Sequence, residues 1–120
     1  MEKILVVDDN PDIRRLLAIT LGKEYEVLEA NDGADALRAV HTHHPKAVLL
    51  DIMMPGELDG LQVLDAIKSD PELKGTLVAM LTARGQANDY RAGQEHGADA
   101  YFIKPFSPLQ VAGWLQKRLA

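Results

Sequence analysis

A chain of 120 residues and 13.2 kDa has room for one ordinary hydrophobic core, and its 47% apolar and 26% charged residues are the proportions of a globular domain. Cysteine is absent, which excludes disulfides, thiolate catalysis and cysteine-bound zinc. Thirteen basic against eighteen acidic residues leave a net charge of -5, with no basic run able to neutralise several phosphates, so no direct nucleic-acid binding is expected. The apolar run Ile4 to Val7 is too short for a signal sequence or a membrane span; the expectation is a cytoplasmic protein without membrane contact.

Lys3-Ile4-Leu5-Val6-Val7 predicts a strand buried on both faces, and it ends in two carboxylates, Asp8 and Asp9. Asn10 is a candidate N-cap and Pro11 the first residue of a helix. In that helix Ile13, Leu16, Leu17, Thr20 and Leu21 define one core-facing stripe, closed by Gly22. Tyr25 to Ala30 alternates enough for a second strand near a sheet edge, and Asn31-Asp32-Gly33 is turn chemistry before a second helix with Ala34, Leu37 and Val40 inward. His41, His43 and His44 end that helix. Their spacing does not gather three imidazoles on one face, so no metal site is expected there, and cationic groups suit a helix C-terminus.

Between Pro45 and Pro55-Gly56 a third apolar strand ends at Asp51. Asp59-Gly60 precedes a third helix with Leu61, Leu64 and Ile67 facing inward and Val63 alongside, and Ser69 to Gly75 reads as a surface loop. Leu77 to Leu81 predicts the fourth strand, with Thr82 at its carboxyl end. A helix over Gly85 to His96 is expected by position; Gly85, Gly93 and a thin apolar content leave little buried area to hold it. Ala100 to Ile103 predicts the fifth strand, leading to Lys104-Pro105-Phe106. Ser107 and Pro108 then open a last helix with Val111, Ala112, Leu115 and Leu119 inward. Five strands alternating with five helices imply a flavodoxin-like α/β fold, a doubly wound parallel sheet of order 2-1-3-4-5, in one domain over residues 1–120.

In that order the first, third, fourth and fifth strands are neighbours, and their carboxyl ends bring Asp8, Asp9, Asp51, Thr82 and Lys104 to one rim. Three carboxylates together repel one another and require a cation. Hard oxygen ligands favour Mg²⁺, or Mn²⁺, and Lys104 adds a fixed positive charge. Asp51 is then a candidate nucleophile for an aspartyl phosphate, with Thr82 placed to hydrogen-bond a phosphoryl oxygen. A flavin reading of the same fold fails on the first loop, where Asp8-Asp9-Asn10 would repel a phosphate, and no glycine-rich phosphate loop is present.

Four stretches, Asp8-Asp9, Asp51-Ile52-Met53-Met54-Pro55-Gly56, Leu81-Thr82-Ala83 and Tyr101-Phe102-Ile103-Lys104-Pro105-Phe106, resemble in order those of the receiver domain of two-component response regulators. The resemblance spans essentially the whole chain. It implies that Asp51 accepts a phosphoryl group from a sensor histidine kinase or a phosphotransfer protein. It also implies that Asp9, Asp51 and the backbone carbonyl of Met53 ligate Mg²⁺, with Asp8 contributing directly or through water. Lys104 would pair with the phosphoryl group across a cis Lys104-Pro105 bond. Thr82 and Tyr101 would form the switch pair, and Met53 and Arg84 would tune self-dephosphorylation. The domain would phosphorylate itself from small phosphodonors, show autophosphatase activity, and change conformation at the face of the fourth helix, fifth strand and fifth helix, which carries Trp114. A homodimer on activation is left open, and the downstream effector is unknown. The loop Gly56 to Gly60 is one residue longer than the family's usual one. The chain stops right after its last helix, so no effector domain is expected within it. The rival readings are a phosphorylation-independent interaction module of the same fold and a metal-dependent phosphohydrolase.

Overall fold

The computed structural model describes residues 1–54, 56–83 and 96–120. The elements run β1 (Lys3–Val7), α1 (Pro11–Leu21), β2 (Glu26–Ala30), α2 (Gly33–His43), β3 (Ala47–Asp51), α3 (Gly60–Ser69), a short 3-10 turn (Pro71–Leu73), β4 (Leu77–Ala83), β5 (Ala100–Lys104) and a C-terminal helix (Pro108–Leu119). The strands form one parallel sheet of order β2-β1-β3-β4-β5, as expected. Four α-helices are described rather than five. The helix expected over Gly85 to His96 lies outside the described residues except at His96, as do Pro55 and Arg84.

Because side chains alternate across a strand, the continuous apolar runs of β1, β3 and β4 feed two cores at once. Leu5, Val7, Val48, Leu50, Val78 and Met80 pack against Ala36 and Val40 of α2 and Val63, Leu64 and Ile67 of α3. Ile4, Val6, Ala47, Leu49, Ala79 and Leu81 pack on the other face against Leu17 and Leu21 of α1 and Val111 and Leu115 of the C-terminal helix. Burying each of the Val, Leu, Ile and Met side chains stabilises the fold by about 1.5–3 kcal/mol, so a slip of register by one residue, which would exchange the two faces, is strongly disfavoured.

Several expected details differ. Leu16 is 46% exposed and Thr20 bonds its hydroxyl back to the Leu16 carbonyl at 2.9 Å, so the inward row of α1 narrows to Leu17 and Leu21 with Ile13 partly covered. Leu16 instead lines a surface groove with Ile13, Lys104, Pro105 and Phe106. In α2 Ala34 is exposed, and Gly33 and Ala36 take the inner positions. The cause is the close seat of Gly33, where a Cβ would fall 2.6 Å from the Leu58 carbonyl oxygen. Gly22 does close α1, in right-handed geometry with φ -66°, whereas His44 ends α2 at φ 47°. Ser107 holds the N-cap position of the C-terminal helix without a side-chain capping bond. The Ser69 to Gly75 segment is not simply a surface loop, since Leu73 is 1% exposed in the core. At the sheet's amino edge Asp99 accepts from the Val78 amide (2.8 Å) and from Lys68 Nζ (2.7 Å), which pins the entry of β5 to β4.

Candidate functional site

The site stands at the carboxyl edge of β1, β3, β4 and β5. Asp8 leaves β1 fully buried, its amide donating to the Ala30 carbonyl at 3.2 Å. Its Oδ1 accepts from the Asn10 amide (2.9 Å) and its Oδ2 from Lys104 Nζ (2.8 Å). Asn10 in turn caps α1 by accepting from the Asp12 amide at 2.9 Å. Asp51, 5% exposed, ends β3; its Oδ2 lies 3.4 Å from Lys104 Nζ and its Oδ1 accepts from the Met53 amide at 3.2 Å. Asp9 is exposed beside them. One oxygen from each of Asp8, Asp9 and Asp51 lies within 4.8 Å of the other two.

Burial first and the charge of Asp8 second push the Asp51 carboxyl up from 3.8 to about 6, against the opposing pull of Lys104 and the Met53 amide. Burial also works against the charged Lys104, but its hydrogen bond to Asp8 and the negative charge of Asp51 outweigh this and raise its pKa. One ammonium does not balance three acids. The donors are hard carboxylate oxygens, two buried and one open to solvent, and this set fits a small divalent cation such as Mg²⁺.

The strand register places Thr82 one residue beyond Leu81, the β4 partner of Asp51, and Thr82 is 3% exposed, its hydroxyl donating to the Ala83 carbonyl at 3.2 Å. Tyr101 pairs with Met80, two residues back from Thr82, and packs partly buried on the α2 and α3 side of the sheet, so it is not at the rim itself. Met53 enters through its backbone, the residue as a whole being 61% exposed. The Lys104-Pro105 peptide is cis, as the resemblance implied. Trp114 packs edge-on against Phe102 at 6.1 Å, and the Arg118 guanidinium carbon lies over the Trp114 ring, 5.7 Å from its centroid.

Two contributors escaped the sequence reading. Gly60 is one: a Cβ there would lie 2.2 Å from the Asp51 carbonyl oxygen, so α3 approaches the end of β3 only with glycine at this position. Arg14 is the other, donating through Nη1 to the Asp8 carbonyl at 2.7 Å and through Nε to Glu29 at 3.2 Å. Gly60 gave a signal, an Asp-Gly start to a helix directly after the Asp51 loop. Arg14 gave none, because an arginine between apolar helix positions reads as a solvent-facing residue.

An acidic cluster with one lysine, at the switch edge of a 2-1-3-4-5 sheet, belongs to the class of doubly wound α/β domain that binds its ligand outside the carboxyl ends of the strands. The family model described as "Response regulator receiver domain" matches residues 4–115, and the chain belongs to that family. It is 43% identical over 110 residues to the transcriptional regulatory protein SrrA of Staphylococcus aureus, covering 91% of this chain and 44% of SrrA. It is 39% identical over 119 residues to the DNA-binding response regulator MtrA of Mycolicibacterium smegmatis, covering 98% of this chain and 50% of MtrA. The chain thus spans about half the length of these curated relatives or less. Among solved structures, the chemotaxis response regulator CheY4 of Vibrio cholerae superposes with a TM-score of 0.89 at 31% identity, covering 98% of each chain. Membership places the chain in phosphorylation-based two-component signalling, in a family that generally binds Mg²⁺ through acidic residues. No helix among the described residues is long and apolar enough to cross a membrane.

Proposed function

We propose that residues 1–120 form one receiver domain in which Asp51 accepts a phosphoryl group from the phosphohistidine of a sensor kinase or phosphotransfer protein. The observation that carries this reading is the position of Lys104 Nζ, 2.8 Å from Asp8 and 3.4 Å from Asp51, with the exposed Asp9 completing the acidic cluster. An Asp51 carboxylate oxygen attacks phosphorus; the new O–P bond forms as the donor's N–P bond breaks and the imidazole leaves. Asp8, Asp9, Asp51 and the backbone of Met53 would hold Mg²⁺ or Mn²⁺, which would supply positive charge against these acids and the phosphoryl oxygens. Lys104 stays ionised beside the nucleophile and meets the charge that arrives with the phosphoryl group. Thr82, at the end of β4, turns its hydroxyl toward the new phosphoryl oxygens, and Tyr101, on the neighbouring strand, moves with it.

The output reading is a shift at β5 and the C-terminal helix; the fourth helix of the expected face lies outside the described residues. Nucleic-acid contact is not proposed for these 120 residues, whose charge is -5. Location in the cytoplasm follows from the same reading. Incubation with Mg²⁺ and a small acyl phosphate, followed by mass spectrometry, should show one added phosphoryl group that Asp51→Asn abolishes. An unlabelled parent, under conditions that label another receiver domain, would overturn the reading.

A further inference from the structure

The geometry points to Arg14 as the residue that positions the acidic pair for its cation. This rests on the metal reading above and names a residue which that reading does not use. Asp8 is held at both backbone groups: its amide reaches the Ala30 carbonyl of β2 and its carbonyl receives Arg14 Nη1 at 2.7 Å. The Asp8 carbonyl and the Asp9 amide share one rigid peptide plane, so the guanidinium that fixes the carbonyl also fixes the direction in which the chain leaves toward Asp9. Asp9 is exposed and extends from a turn rather than from the sheet, and the orientation of this plane is what aims its carboxylate at those of Asp8 and Asp51. Arg14 is itself braced. Its Nε binds Glu29 on β2 at 3.2 Å, and its side chain is only 19% exposed. The planar fork thus ties α1, the β1 end and β2 together directly behind the acidic cluster, as a guanidinium with several fixed donors can and an ammonium cannot.

Charge and position make opposite predictions. Were Arg14 only a nearby cation, its removal would strengthen the binding of a divalent ion, since it repels that ion. As a positioning residue its loss weakens binding, because the ligands are no longer held in place. Isothermal titration calorimetry with Mg²⁺ should therefore show Arg14→Met binding about 10-fold more weakly than the parent, the lower end of what removing an outer support of a metal site costs. Arg14→Lys, which keeps the charge and loses the fork, should weaken binding as well. Thermal unfolding in EDTA identifies the folded variants, and Arg14→Lys carries the test should Arg14→Met fail to fold. Tighter binding by Arg14→Met with parental binding by Arg14→Lys would overturn the inference in favour of simple repulsion. Parental affinity in both would overturn any role at the site. A parent that takes up no Mg²⁺ would overturn the metal reading, and this inference with it.

Discussion

Burial and the neighbouring Asp8 disfavour the charged form of Asp51. Its pKa of about 6 in the folded protein, against an ordinary 3.8, means that between those pH values the folded chain holds more protons than the unfolded one. The stabilising contribution of the protonated group is present in full below 3.8 and is lost as pH rises through about 6. Metal-free protein should therefore lose stability across that window relative to Asp51→Asn, and at neutral pH the variant should be more stable by about 1–3 kcal/mol. Urea unfolding in EDTA at a series of pH values checks this; parallel curves for the two proteins would contradict it. Lys104 works in the opposite sense. Lys104→Met leaves buried Asp8 and Asp51 without their ammonium and should cost about 1–3 kcal/mol in EDTA. Part of that loss should return on adding Mg²⁺, which unfolding of the same variant with and without the ion would show.

At the scale of elements, two glycines in helices predict opposite outcomes. Gly60 opens α3 against the end of β3, where an added Cβ meets the Asp51 carbonyl oxygen at 2.2 Å and Ile52 Cα at 2.6 Å. Neither is a flexible side-chain end, so Gly60→Ala has to move backbone and should cost about 2–3 kcal/mol, displacing Asp51 as it does. At Gly113 in the C-terminal helix such a Cβ would meet no atom within 4 Å outside the helix's own nearby backbone. There alanine gains helix propensity, and Gly113→Ala should stabilise by about 0.5–1 kcal/mol. Thermal or urea unfolding of the pair decides both, and a stable Gly60→Ala would mean that α3 does not seat on β3 as described. The capping box that starts α3, with Asp59 accepting from the Gln62 amide and Gln62 from the Asp59 amide, both at 2.9 Å, belongs to the same junction. Asp59→Ala should cost about 1 kcal/mol in the same measurement.

At the scale of the whole molecule, a cation that binds only the folded rim is linked to global stability. Asp8 and Asp9 follow β1 and Asp51 ends β3, far apart in sequence, and they meet only when β1 and β3 pair, so the unfolded chain offers no comparable site. Free Mg²⁺ at about 100 times its dissociation constant should then stabilise the protein by about 2.7 kcal/mol, and EDTA should remove this gain. Asp51→Asn should lose most of it. Unfolding midpoints that ignore Mg²⁺ in the parent would show that the cluster does not hold the ion.

The sequence by itself determined the five strands, their parallel order and the acids and lysine at their ends, because apolar runs bounded by Pro, Gly and carboxylates leave few alternatives for a chain this short. Cis Lys104-Pro105 was likewise legible through the family motif. Tertiary structure alone decided that Leu16 and Ala34 face outward, that Leu73 is buried, that Asp8 holds Lys104 more closely than Asp51 does, and that Arg14 grips the Asp8 carbonyl. Local periodicity says which residues share a stripe. How far the helix rolls on the sheet, and which partner a long polar side chain then meets across it, follows from contacts between segments remote in the chain, and no local pattern encodes those.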